Sequence, residues 1–350
     1  MLRLSRKTVL AAVFFLGFAA TASRARADDA AVADFYRGKT IQFLIGGAPG
    51  VSYDLVGRVI AAHMGEHIPG HPLFVAQNMP GATSLVMTNY LYNQASHDGT
   101  VMGMPNDNII LEPQLRLLSG NGGNVRFDLN RLIWLGTPVQ EPQIMLLAAN
   151  APAHSLEEMK KVKVLMGASG TGADNYALPL IVNKVFGTQI DIVLGYQSPN
   201  DILLAIDRGE VQGISAGLST LVVNRPEWLH GGQATLLMQF GFQRLKGFED
   251  LPTAIELAPS EDTRDMFRMI ASKFTLARPL ALPPDVPPER VQALRAGFDA
   301  TMKDPAFLAE AKKIGLDIDP MGGEEMSGVI RKILATRPAV VDGLRAMLAP

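Results

Sequence analysis

The sequence predicts an α/β fold in two lobes with a helical tail. Three observations carry that reading. Short apolar runs alternate with amphipathic stretches from Lys39 onward, and the same alternation resumes at Gln143. From Phe242 it gives way to proline-rich joints between long helical stretches. Strands alternating with helices indicate βαβ units and a largely parallel sheet. A chain of 350 residues is long for one core and comfortable for two.

In the first block Thr40–Gly46 reads as a strand. Ser52–Glu66 reads as a helix, because Leu55, Val56, Val59, Ile60 and His63 recur at helical spacing. Pro72–Gln77 is a second strand, Ser84–Asn93 a helix and Thr100–Met104 a third strand. The second block reads as strand Gln143–Ala148, helix Ser155–Lys161, strand Val162–Gly167, helix Ala173–Val185 and strand Ile190–Leu194. Helix Pro199–Arg208 and strands Val211–Ser215 and Thr235–Gln239 complete it. Ser155 with Glu158 three residues on has the form of a capping box. Beyond Leu251-Pro252 and the run from Leu282 to Pro288, the clearest helices are Glu289–Met302 and Pro305–Ile314. Glu324–Met347 carries one or two more, broken near Pro338. The expected organisation is a first lobe over 28–139, a second over 140–240, and a helical stretch over 241–350 that packs back on the first.

Composition narrows the function. The chain has no cysteine, which removes disulfides, thiolate metal sites and cysteine nucleophiles. With 32 basic and 34 acidic residues there is no surplus of positive charge to neutralise phosphates, so nucleic acid is not an expected partner. Residues 1–27 read as a cleaved signal peptide: Arg3, Arg6 and Lys7, an apolar run from Thr8 to Ala22, then Ala25-Arg26-Ala27. The run is about 15 residues, short of the ~20 a membrane span needs. Cleavage after Ala27 removes five basic residues and no acid, leaving a mature chain more acidic than the net −2 of the whole, expected in the periplasm.

Three motifs resemble catalytic ones. His63-Met64-Gly65-Glu66-His67 has the spacing of an inverted zinc peptidase, but Gly65 and Pro69-Gly70 end the helix there. Histidine also suits a helix C-terminus without any metal. Gly213-Ile214-Ser215-Ala216-Gly217 fits a nucleophile elbow, yet only Glu227 and His230 follow in the order a triad needs. Gly167–Gly172 (GASGTG) lies between strand and helix but lacks the ending of a Walker loop. What it retains is a helix N-terminus whose N–H groups, with the Ser169 and Thr171 hydroxyls, receive an anion such as a carboxylate. Ala48–Asp54 repeats the feature in the first lobe: Pro49-Gly50 turns the chain, Ser52 can cap, and Tyr53 adds a ring and a hydroxyl. Asp54 either stabilises the helix dipole or accepts a hydrogen bond from a ligand. One anion-ready helix start per lobe suits a ligand gripped between two lobes. No metal or cofactor is implied.

An ordered set of segments is similar to one family. These are Phe35-Tyr36-Arg37-Gly38-Lys39-Thr40-Ile41, Gln77-Asn78-Met79-Pro80-Gly81-Ala82, His97-Asp98-Gly99-Thr100 and Ala205-Ile206-Asp207-Arg208-Gly209-Glu210-Val211. Phe248–Thr253 and Pro283–Val291 extend the set over nearly the whole mature chain. Together they resemble the periplasmic solute receptors of tripartite tricarboxylate transporters, the Bug type. The resemblance implies an α/β, type II-like Venus-flytrap periplasmic binding protein with two crossovers between lobes. It implies capture of a small organic acid and delivery to inner-membrane permease subunits, with no enzymatic step. Carried over by position, the substrate-binding residues are Pro49, Gly50, Val51, Ser52, Tyr53 and Asp54. Asn106, Asp107 and Asn108 follow the third strand, and Ser169, Gly170, Thr171, Gly195, Tyr196 and Ser215 belong to the second lobe. Two departures stand out: Val51 follows Gly50 where the family pairs glycines, and Thr83-Ser84 follows Pro-Gly-Ala where the family has two glycines.

Tyr53 and Tyr196 either stack on an aromatic acid or pack against the hinge. A sensory receptor for a membrane signalling protein, which would share this ligand chemistry, and an exported hydrolase using Ser215 or the His63/His67 pair are the alternative functions. A monomer is the simpler oligomeric expectation.

Overall fold

The computed structural model describes residues 29–116, 124–171 and 173–348, so the expected signal peptide, 1–27, lies outside the described residues. Two sheets organise the chain. The first contains β1 (Thr40–Ile45), β2 (Leu73–Asn78), β3 (Val101–Met104), β4 (Ile133–Thr137), β10 (Leu280–Leu282) and β11 (Met321–Gly322), in the order β11-β4-β10-β3-β1-β2. The second contains β5 (Gln143–Ala148), β6 (Val164–Ala168), β7 (Ile190–Leu194), β8 (Gly213–Gly217) and β9 (Ala234–Phe240), in the order β7-β6-β8-β5-β9. The chain passes from the first sheet to the second between β4 and β5 and returns between β9 and β10, giving two crossovers.

Alternation along β1 explains how the first sheet is covered. Ile41, Phe43 and Ile45 are buried on the face that receives α1 (Ser52–Met64) through Val56, Val59, Ile60 and Met64. At roughly 2 kcal/mol for each apolar side chain buried, that stripe outweighs the helix's intrinsic propensity. Leu44 points to the opposite face, where Leu85, Met87 and Leu91 of α2 (Leu85–Asn93) pack. The second sheet repeats the arrangement. Leu178, Ile181 and Val182 of α3 (Asp174–Phe186) cover one face, and Ile202, Leu203 and Ile206 of α4 (Pro199–Asp207) cover the other.

The later helices serve both sheets. After α5 (Leu218–Asn224) and β9, the long α6 (Glu261–Thr275) contacts β9 and the 3-10 turn Asp107–Ile110. Among the remaining helices, α7 (Pro288–Thr301) and α8 (Pro305–Lys313) join the core of the α1 face through Leu294, Phe298 and Phe307. Helix α9 (Gly323–Leu334) packs on β4, while α10 (Pro338–Leu348) packs on α3 and α6. The tail expected to lie on the first lobe thus touches both, and one apolar cluster runs from Met87 through Phe267 to Val164.

Three strands were not read from the sequence. β4, β10 and β11 have five, three and two residues, and β10 is buried at every position, so no alternation marks it. β8 begins two residues later than expected, because Gly209 and Glu210 donate back to Ile206 and Ala205 as a turn. The capping box at Ser155 is half formed. Its hydroxyl accepts from the Glu158 N–H, but the Glu158 carboxylate accepts from His154 N instead.

Candidate ligand-binding cleft

Ligands of open α/β sheets bind beyond the carboxyl ends of the strands. Here those ends carry the loops after β1, β3, β6, β7 and β8. The loop after β1 is closed on itself. Asp54 is 4% exposed. It accepts from Gly50 N at 2.8 Å, from Asn78 Nδ2 at 2.9 Å and from Arg58 Nε at 2.9 Å. Burial works to raise its pKa, but these three donors outweigh it and hold the carboxyl below the usual range. Asp54 therefore organises Pro49–Asp54 from beneath, while Pro49, Gly50, Val51 and Ser52 stay exposed.

Tyr53 is tied to the hinge. Its hydroxyl donates to Ala277 O and accepts from Asp107 N at 3.2 Å, and the Arg278 guanidinium lies 5.5 Å from its ring centroid. Of the two roles open to Tyr53 in the sequence, packing against the hinge is the one occupied. Burial, with Asp107 nearby, raises its hydroxyl pKa well above the ordinary value.

Ser84 joins the loops after β1 and β3. Fully buried, its hydroxyl donates to Gly46 O and accepts from Asn106 N, each at 2.9 Å. Ala82, Thr83 and Ser84 all have positive φ (43°, 49° and 72°), a conformation that strains L-residues. The backbone keeps a left-handed turn at Thr83 and Ser84, the two positions where the family that the sequence resembles carries glycine. A Cβ on Gly46 would collide with the Ser84 hydroxyl, so the two residues are matched. Asn106 Oδ1 then accepts from Asn108 N and Nδ2, fixing the turn that carries Asp107.

The loop after β6 is supported differently. Asn175 accepts from Ser169 N at 3.0 Å, and its Nδ2 donates to Ser169 Oγ at 3.1 Å. Because that hydroxyl is an acceptor toward Asn175, its own proton is free to point elsewhere. Ala173 gives α3 no side-chain cap, and a Cβ at Gly170 would meet nothing within 4 Å. Thr171 and Gly195 are exposed. The Tyr196 ring lies over Gly167 and packs with the α4 face of the sheet. Burial and the hydrogen-bonded Glu210 carboxylate raise its hydroxyl pKa. Ser215 is 1% exposed, on the face of β8 opposite Ile214 and Ala216, and its Oγ has no hydrogen-bond partner among the described residues.

None of the binding residues expected from the sequence is a cation, but the structure brings two cations beside these loops. Lys273, in the last turn of α6, pairs with Asp174 at 2.5 Å, and Arg278 pairs with Glu141 at 2.8 Å and donates to Ser52 Oγ at 3.0 Å. Asp107, from the first lobe, feels both groups. Burial and Asp174 push its carboxyl up to about 6 against the opposing pull of Lys273 and Arg278. Periodicity could not reveal these cations: both lie in or after a helix far along the chain, and only the return crossover brings them to the loops.

No family model matches the sequence and no curated protein matches it, but solved structures do. A TctC solute-binding protein from Polaromonas superposes with a TM-score of 0.67 at 18% identity, covering 88% of this chain and 99% of that one. MatC from Rhodopseudomonas palustris, solved with bound malate, gives 0.53 at 17% identity over 89% and 99%. A second R. palustris protein, solved with adipate, gives 0.57 at 17% over 87% and 97%. The chain has the fold of a two-lobed periplasmic solute-binding protein.

The two histidines that have zinc-peptidase spacing in the sequence are each paired with a carboxylate. His63 Nε2 lies 2.8 Å from Glu310 Oε2 and His67 Nε2 lies 2.9 Å from Asp304 Oδ2, so both histidines join α1 and the turn after it to α8 and its cap. No cluster of three or more metal-ligand side chains occurs among the described residues. A cavity of about 1740 Å³ opens beside the loops, between α1, α5, the crossovers and the tail helices. Ser52 is the one expected binding residue on its wall, which Arg278, Glu141 and Ser219 also form.

Proposed function

We propose that the chain is an exported, non-enzymatic receptor that captures a small organic carboxylate between its lobes and delivers it to a membrane permease. The observation that carries this reading is the loop after β6. Asn175 holds Ser169 with its hydroxyl proton unclaimed, beside an uncapped helix N-terminus. In the first lobe, Ser52 opens α1 in contact with a guanidinium. Neutral donors in one lobe and a hydroxyl with its cation in the other suit a carboxylate, and hydrogen bonds to an anion strengthen when closure excludes bulk water. The malate and adipate held by two structural neighbours agree with that chemistry. The leader-like sequence of residues 1–27 supports export to the periplasm, and the permease would read the closed form as a shifted population.

A thermal-shift screen of residues 28–350 against aliphatic and aromatic carboxylates tests the proposal. A ligand that binds only the folded state stabilises it by ~2.7 kcal/mol at a hundredfold excess over its dissociation constant. A clear shift with one class of acid supports the reading. A folded, ligand-free protein that responds to none of them contradicts it.

A further inference from the structure

A line of polar contacts crosses the molecule at the hinge. Ser52 opens α1 in the first lobe, Arg278 lies on the return crossover, Glu141 on the outward crossover and Ser219 at the start of α5 in the second lobe. Arg278 Nη2 donates to Ser52 and Nη1 to Glu141 Oε2, while the Ser219 hydroxyl donates to Glu141 Oε1. All four side chains face the 1740 Å³ cavity.

We propose that Arg278 is the anion-receiving side chain of this cavity, with Glu141 as a stand-in counterion that an incoming organic carboxylate displaces. The inference rests on the carboxylate-receptor reading and adds to it the residue that meets the charge. Arg278 is 9% exposed, and its Nε has no hydrogen-bond partner among the described residues. A buried donor left unmatched is unfavourable, so the present pairing does not saturate the guanidinium. The planar fork of arginine matches a carboxylate with two parallel bonds, which Glu141, engaged through one oxygen, does not supply. The Glu141 carboxylate also accepts from Ser219, and its backbone N–H is fixed on Phe274 O at 2.8 Å, so it keeps a partner when a ligand takes its place on Arg278. The wall suits the rest of such a ligand. Leu55, Val222 and Val223 are exposed apolar side chains there, and Lys312, Lys313 and Lys332 add positive charge to a wall that also carries Asp317, Asp319 and Glu325.

The test is calorimetric titration of wild type, Glu141→Gln, Arg278→Lys and Ser169→Ala with aliphatic dicarboxylates of four to eight carbons. Removing the competing charge in Glu141→Gln is expected to tighten binding several-fold, an effect that a merely structural salt bridge would not produce. Arg278→Lys keeps the charge but not the fork, and is expected to weaken binding at least about tenfold with the fold retained by circular dichroism. If wild type binds and neither variant at positions 141 and 278 changes affinity, this inference falls while the receptor reading stands. Binding that is lost in Ser169→Ala and unchanged in Arg278→Lys likewise assigns the anion to the other loop and overturns it. Wild type that binds none of the acids overturns the receptor reading, and the inference with it.

Discussion

The loops after β1 and β6 share one grammar: strand, glycine-containing turn, helix start. They differ in what stands beneath. Under the first lies a charged acceptor, Asp54, which takes Gly50 N–H, Asn78 and Arg58 for itself. Under the second lies a neutral amide, Asn175, which braces Ser169 and leaves its hydroxyl proton unclaimed. An acid beneath a loop makes it rigid and self-sufficient. An amide beneath a loop makes it rigid and receptive. The second-lobe helix start thus keeps a hydroxyl proton free, while the first lobe presents Ser52 and the cation it touches.

Substitutions can break that comparison. The largest effect is expected for Asp54→Ala, which leaves Gly50 N–H without its acceptor and takes a carboxylate partner from Asn78 and Arg58, each of which keeps one other hydrogen bond. Denaturant unfolding should show a loss of about 2–3 kcal/mol. Because the native carboxyl is held low, its contribution is complete above the unfolded pKa near 4 and lost as pH falls through the native one. The wild-type advantage over Asp54→Ala should therefore shrink below about pH 4. Next is Ser84→Ala, which leaves Gly46 O and Asn106 N unmatched in the interior and should cost about 2 kcal/mol.

Asp107→Asn should stabilise the protein in a pH-dependent way. The native carboxyl, raised to about 6, favours its neutral form, so the wild type loses stability as pH rises from the unfolded value near 4 and carries the full disadvantage above about 6. The gain should approach about 2 kcal/mol at pH 8 and vanish below about pH 4, as melting curves across pH would show. The smallest effect is expected at Thr83, exposed and left-handed at φ 49°. Thr83→Gly should raise stability by about 0.5–1 kcal/mol, and an unchanged melting temperature would remove the claim of strain there.

Much of this architecture was legible in the sequence. The alternation from Lys39 and again from Gln143 marks eight of the strands within about two residues, because each pairs a buried face with a covering helix. The short strands β4, β10 and β11 were not legible: they complete a sheet whose other members lie far away in the chain, and pairing partners leave no periodic trace. The site was legible in the same uneven way. Pro49–Ser52 and Ser169–Thr171 are visible as loops because glycine, proline and hydroxyl residues cluster where a strand ends. That Asp54 is consumed by its own loop, that Tyr196 packs against Gly167, or that Ser215 is buried depends on side-chain direction. Arg278 and Lys273 reach the loops only through the return crossover. The departure at Thr83-Ser84 was visible, but its meaning was not. The turn keeps its left-handed path, and the Ser84 hydroxyl fills the space above Gly46 that a second glycine would leave open.

The central claim is that the loop after β6 gives a carboxylate a ready-made donor. Calorimetric titration of wild type and Ser169→Ala with the acid that gives the largest thermal shift tests it most directly. The account predicts a melting temperature lowered by a few degrees at most, since Asn175 Nδ2 loses its acceptor, and affinity reduced about tenfold or more, the loss of one hydrogen bond to an anion. Equal affinity for the two proteins would contradict it.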